Sequence, residues 1–138
     1  MEYLRRLIEN DMKITATFID EISHDIPHQN WGAKEWEQDF EYMKKMGIDT
    51  VVLIRAGYRK FLSYPSAFLI EHHACFTPSQ DLVKLFLELS DRFSMHFYFG
   101  IYDSGTYWDT GDMSAEIEVN MPLIEEAYAR YGHYESFK

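Results

Sequence analysis

Four charged side chains stand where candidate strands give way to loops: Asp20 and Glu21 after residues 13–19, Arg55 at the end of 49–55, and Asp103 after 95–102. Loops at the carboxyl ends of parallel strands form the working face of α/β folds, so these four are the first candidates for chemistry. Asp20 or Glu21 would accept hydrogen bonds from ligand hydroxyls. Arg55 would bind a carboxylate or orient an acid, and Asp103 would add a third polar contact. The plainer arrangement pairs Arg55 with Asp20 or Glu21 merely to close the top of the sheet. Nothing in their local sequence marks one of them as catalytic.

Tyr58, Tyr64, Tyr107 and Trp108 lie in loops on the same side. Flat apolar rings in such loops stack on a flat ligand face, and they also serve as loop plugs. Trp31 and Trp36 are expected to be core or loop anchors, because Trp36 falls on the apolar stripe of a helix. The histidines carry a weak metal signal. His24 and His28 are four apart, but Pro27 spoils a regular helix between them, and in the ligand-dense run His72, His73 and Cys75 the adjacent residues rarely bind one ion without a well-placed third group. No metal and no cofactor is expected, and Cys75 reads as a buried structural thiol.

Three strand-then-helix units must position these residues. In the first strand Ile14, Ala16 and Phe18 alternate with Thr15, Thr17 and Ile19. A helix over about 32–46 follows, with Trp36, Phe40 and Met43 on one face and Gly47 as its left-handed cap. The run at 49–55 is apolar enough to be buried on both faces. After a long loop over 56–76, Thr77, Pro78 and Gln80 suggest a capping box for a helix carrying Leu82, Leu85, Phe86, Leu89 and Phe93. The third strand ends in a loop over 103–112. The third helix carries Ile117, Met121, Ile124, Tyr128 and Tyr131 on one face, and because Pro122 interrupts it a kink or restart is expected near Asn120.

The 138 residues and 16.4 kDa suit a single domain. Thirteen Lys and Arg against 23 Asp and Glu leave a net charge of -10, which opposes phosphate neutralisation and argues against a nucleic-acid partner. No stretch has the length of a membrane span or a signal peptide, so a cytoplasmic location is expected for the chain as written, and export if the native N-terminus is missing. One cysteine forms no internal disulfide.

Strict β-α alternation implies a parallel sheet with right-handed crossovers. Two architectures satisfy it, a doubly wound sheet or a piece of an eight-unit barrel, and no Gly-rich phosphate turn follows the first strand. The segment TATFIDEISHDIPHQNWGAKEWEQDFEYMKKMGIDTVVLIRAGYRKFLSYPS resembles the opening of a family of glycoside-hydrolase-like TIM barrels without established activity, catalogued as a domain of unknown function. The resemblance rests on Asp20 and Glu21, the Asn30–Trp31 pair, Trp36, residues 47–50 and Tyr64–Pro65, and it extends more weakly through FYFGIYDSGTYWD to cover about 13–134. It implies a partial TIM barrel spanning 1–138, with 1–12 as an N-terminal extension. HYESFK then looks like the approach to a fourth strand.

In families with glycosidase barrels the general acid stands near the fourth strand and its partner carboxylate near the seventh. The resemblance therefore implies a carbohydrate-related domain that is not catalytic as this chain. A truncated, non-catalytic oligomeric or binding module is the other reading. The inner sheet face, drawn from Ile14, Ala16, Phe18, Val51, Leu53, Phe97 and Phe99, would lack a covering layer, so a homo-oligomer is expected unless a segment carrying Leu4, Leu7 and Ile8 folds over it. A glycan is the expected ligand, with neither a nucleic acid nor a membrane as partner.

Overall fold

A computed structural model of the chain describes residue 2, residues 13–23 and residues 31–138. Most of the N-terminal extension and the His24/His28 pair lie outside the described residues. In chain order the elements are β1 (Ala16–Ile19), α1 (Ala33–Lys45), β2 (Thr50–Leu53), β3 (Gly57–Tyr58), β4 (Phe61–Leu62), α2 (Ala67–His73), α3 (Leu82–Arg92), β5 (His96–Tyr98), β6 (Tyr102–Asp103), α4 (Thr106–Thr110) and α5 (Met113–Tyr131).

The main sheet is parallel, with order β1-β2-β5. Residues 136–138 extend it: Phe97 donates to the Ser136 carbonyl at 2.8 Å and accepts from the Lys138 amide at 2.9 Å, while Phe137 forms a parallel bridge with Phe97. Spatial neighbours along this sheet are therefore neighbours in sequence. A second small sheet, β4-β3-β6, continues beyond the ends of β2 and β5. There β3 and β6 run side by side in parallel, Tyr58 opposite Asp103. Gly100 makes this possible, since a Cβ at that position would fall 2.1 Å from the Leu53 carbonyl oxygen.

Periodicity places α1 well. Gly47, at φ +90°, closes the helix through bonds from Gly47 to Lys44 and from Ile48 to Met43. Trp36 and Phe40 of α1 meet Phe86 of α3 at ring-centroid distances of 4.8 and 5.9 Å, and this helix pair covers the sheet face bearing Ile19, Val51, Leu53 and Phe97. The expectation for the open face is corrected accordingly. Val51, Leu53 and Phe97 are buried under helices, whereas Phe18, Val52 and Tyr98 line up across the strands on the other face, with Phe18 68% and Tyr98 50% exposed. The strand at 49–55 is thus not buried on both sides, and Ile54 at its end is exposed.

Other elements depart from expectation for identifiable reasons. The helix expected from Thr77 begins at Leu82, because Asp81 takes the N-cap by accepting from the Lys84 amide at 2.9 Å. Gln80 turns away and donates to the Trp31 carbonyl. The presumed loop at 56–76 contains the β3–β4 hairpin and α2, and that at 103–112 contains α4. Helix α5 runs through Pro122 without a restart. Its expected core stripe is mostly solvent-facing: Ile117, Met121, Ile124 and Tyr128 are exposed, and only Tyr131 is buried.

The face of α5 that is covered carries Val119, Asn120, Leu123, Ala127 and Tyr131. Asn120 selects it. Its side chain accepts from the Tyr102 amide and donates to the Tyr102 carbonyl, both at 2.8 Å, clamping β6 to the helix. Asn120→Ala leaves both backbone groups buried without these partners, an expected loss of about 2 kcal/mol. A urea midpoint shifted by the equivalent of less than about 0.5 kcal/mol would show that the clamp is dispensable.

Candidate functional site

The β3–β6 register brings the ends of β2 and β5 together, and with them Arg55 and Asp103. Arg55 Nη1 lies 3.1 Å from Asp103 Oδ2, and each side chain is 26% exposed. Asp103 Oδ1 accepts from the Gly105 amide at 2.8 Å, so both carboxylate oxygens are engaged. The Arg55 guanidinium stands over the Tyr58 ring at 4.8 Å, and that of Arg59 at 5.6 Å. Arg59 adopts φ +53°, its amide bonded to the Asp103 carbonyl, and its Nε donates to the Tyr58 hydroxyl at 3.2 Å. The result is an aromatic ring framed by two cations, beside a carboxylate.

Asp20 works elsewhere. Its Oδ1 accepts from the Ile22 and Ser23 amides at 3.0 and 3.1 Å, and its Oδ2 from the Ser23 hydroxyl, so it builds the turn that ends β1. Glu21 sits half-buried in the same turn. The partner of Arg55 is thus Asp103, 48 residues away, rather than Asp20 or Glu21.

The loop rings divide. Tyr64 is fully buried, packed edge-on against Tyr131 at 5.5 Å, and donates to Glu126 Oε1 at 3.0 Å. It is the plug of the two roles weighed for it, which corrects its inclusion among the ligand-facing rings. Burial beside Glu126 pushes its phenol well above the usual range, so it remains a neutral donor. Tyr107 and Trp108 meet edge-on at 5.6 Å on α4, and Trp108 is 73% exposed. They border a groove of about 460 Å³ walled by Ile101, Met113, Ile117, Met121 and Ile124, with Asp103 and Glu116 also lining it. Asp103, Tyr107 and Trp108 therefore share one concavity, and Arg55 and Tyr58 adjoin it through Asp103.

Several contributors carry no local sequence signal. Glu116 fixes the loop after β6 by accepting from the Ser104 amide and hydroxyl. Tyr102 donates to the Arg59 carbonyl at 2.6 Å, and its hydroxyl, raised by burial, stays protonated to do so. Only a polar Asn at helical spacing among apolar residues hinted at Asn120. Cys75 lies buried against Tyr102 and the Arg59 carbonyl, and burial pushes its thiol up, away from nucleophilic character. Among the described residues no three His, Cys, Asp or Glu side chains converge on one point, and no helix is long and apolar enough to cross a membrane.

The profile of a family described as "Domain of unknown function (DUF4434)" matches residues 14–138. A solved structure described as a "putative alpha-L-fucosidase" from Bacteroides thetaiotaomicron VPI-5482 is similar to this chain, at 60% identity and a TM-score of 0.87. The match covers 91% of this chain and 39% of that one, so this chain corresponds to well under half of the longer protein. No curated protein matches.

Proposed function

This chain belongs to the DUF4434 family, and from that premise we propose that it is a carbohydrate-binding portion of a glycoside-hydrolase-like (β/α) barrel, three βα units long and not catalytic by itself. The observation that carries this reading is the Arg55–Asp103 pair, half-buried against the Tyr58 ring at the strand ends and bordering the groove that holds Tyr107 and Trp108. The Arg55 guanidinium has N–H donors beyond the one bonded to Asp103 for a sugar hydroxyl, while the exposed indole of Trp108 offers a flat apolar face to a pyranose ring. The name given to the similar Bacteroides protein supports a sugar as the ligand class, with L-fucose the first to try.

Hydrolysis of a glycosidic bond requires two carboxyl groups about 5 to 10 Å apart across it. Asp20 and Asp103 both spend their oxygens on bonds within the chain, which supports binding without turnover. A second reading, a non-catalytic module that works as an assembly of copies, draws support from the uncovered apolar face of Phe18, Val52 and Tyr98.

The test is ligand-observed NMR and titration calorimetry with L-fucose, fucosylated oligosaccharides, galactose and mannose. Trp108→Ala is expected to weaken binding about tenfold, the equivalent of about 1.4 kcal/mol. Absence of binding to every sugar, or an unchanged affinity in Trp108→Ala, would sink the assignment of the site. Release of product from an aryl α-L-fucoside by the isolated chain would refute its non-catalytic character.

A further inference from the structure

We propose that the groove bounded by β6, α4 and α5 takes the neutral aryl aglycone of a glycoside whose sugar lies at the Arg55–Asp103 end, an inference that rests on the sugar reading above. From Met113 to Ile124 the α5 wall of this groove covers three turns, roughly 16 Å at 1.5 Å per residue. Its volume of about 460 Å³ lies within the about 300–1,000 Å³ of pockets that enclose drug-sized ligands. One pyranose ring beside Asp103 leaves most of that length unfilled.

The chemistry of the remaining length is one-sided. Ile101, Met113, Ile117, Met121 and Ile124 line it with side chains between 45% and 58% exposed. The polar groups among them are engaged within the chain: Asn120 holds both backbone groups of Tyr102, and Glu116 holds the Ser104 amide and hydroxyl. A second sugar laid along this wall would turn its hydroxyls toward carbon, and each hydroxyl desolvated without a partner costs affinity. An apolar group gains by the same desolvation. Met113 and Met121 are unbranched and polarisable, so they adapt to the shape of the occupant, and their sulfurs favour an aromatic one. Asp103 and Glu116 place two carboxylates in the lining of a chain whose net charge is -10, which disfavours a fatty acid or any other anionic tail. Asp103 belongs both to this groove and to the charged pair, so one ligand reaches the two. The solvent-facing stripe of α5 thereby gains a role in selecting what the sugar is attached to.

The test is calorimetric titration of the chain with methyl α-L-fucoside, phenyl α-L-fucoside and a fucosyl-galactose disaccharide. The phenyl glycoside is expected to bind about tenfold tighter than either of the others. Ile117→Gln and Met121→Gln alter side chains that are more than half exposed in the folded chain, and each is expected to bring the phenyl-to-methyl affinity ratio close to one. Arg55→Gln is expected to weaken both glycosides alike and so to keep the ratio. Methyl-labelled methionine NMR of the unaltered chain gives an independent readout: the Met113 and Met121 signals are expected to shift with the phenyl glycoside and to stay in place with the methyl glycoside. Equal affinities for the phenyl and methyl compounds, or a disaccharide as tight as the phenyl compound, overturn the aglycone groove and leave the sugar site standing. A tenfold gain that survives both α5 variants places the aryl group elsewhere and overturns it as well. Phenol binding as tightly as phenyl α-L-fucoside removes the sugar from the site, and both readings fall together.

Discussion

Gly100→Ala is expected to destabilise the fold by about 3 kcal/mol, the upper range for forcing atoms into a packed interior. The added methyl would sit 2.1 Å from the Leu53 carbonyl oxygen and 2.6 Å from the Ile54 carbonyl carbon. Both neighbours are backbone, so no side chain can swing aside. Relief requires the β2 and β5 exits to separate, which would also strain the bonds from the Ala56 amide to the Gly100 and Ile101 carbonyls. Those exits carry Arg55 and Asp103, so the same variant should lose sugar affinity along with stability. Denaturant midpoints and calorimetric titration of one preparation check both. A change smaller than about 1 kcal/mol would mean that this crossing is far looser than its geometry implies.

The second large effect is Phe86→Ala. Phe86 is 1% exposed and touches Trp36, Phe40 and Phe97, joining both helices to the sheet. Truncation to Ala removes three ring contacts and leaves a cavity, for an expected cost of about 3–5 kcal/mol. A domain of this size holds about 5–15 kcal/mol in total, so the variant should be partly unfolded at physiological temperature. Phe86→Leu should recover most of the loss, because it restores much of the volume. Thermal unfolding followed by circular dichroism distinguishes them. Equal midpoints for the Ala and Leu variants would show that the aromatic contacts, rather than the filled volume, carry the stability.

Where local physics decided structure, the sequence was informative. Helix α1 was placed within a residue at either end, since its apolar spacing and the glycine after it act within a single turn. The family could be recognised too, through residues clustered in the first half of the chain. The covered side of the sheet could not be read. In β1 the more apolar alternate set, Ile14, Ala16 and Phe18, faces away from the helices, while Thr17 and Ile19 face toward them. Alternation reveals that a strand has two faces, and only the packing of distant helices selects which one is covered.

The candidate site shows the same division. That Arg55 and Asp103 end strands was legible, but their pairing follows from the register of β3 with β6, set by two short segments hidden within apparent loops. Tyr64 illustrates the opposite case. A Tyr-Pro-Ser loop reads equally as an exposed platform or a plug, and the choice falls to Glu126, 62 residues further on. On α5 two apolar stripes compete, and one buried amide decides between them.

The sequential strand order bears on how the chain comes into being. As synthesis proceeds from the N-terminus, each new strand finds its spatial partner already made: β2 joins β1, β5 joins β2, and residues 136–138 join β5. No strand waits for a later one to be threaded between its neighbours, so every loop closed is that of one unit, and contact order stays low for a parallel sheet. Growth occurs at one edge alone. A further unit added at that edge would leave the pairings already formed undisturbed.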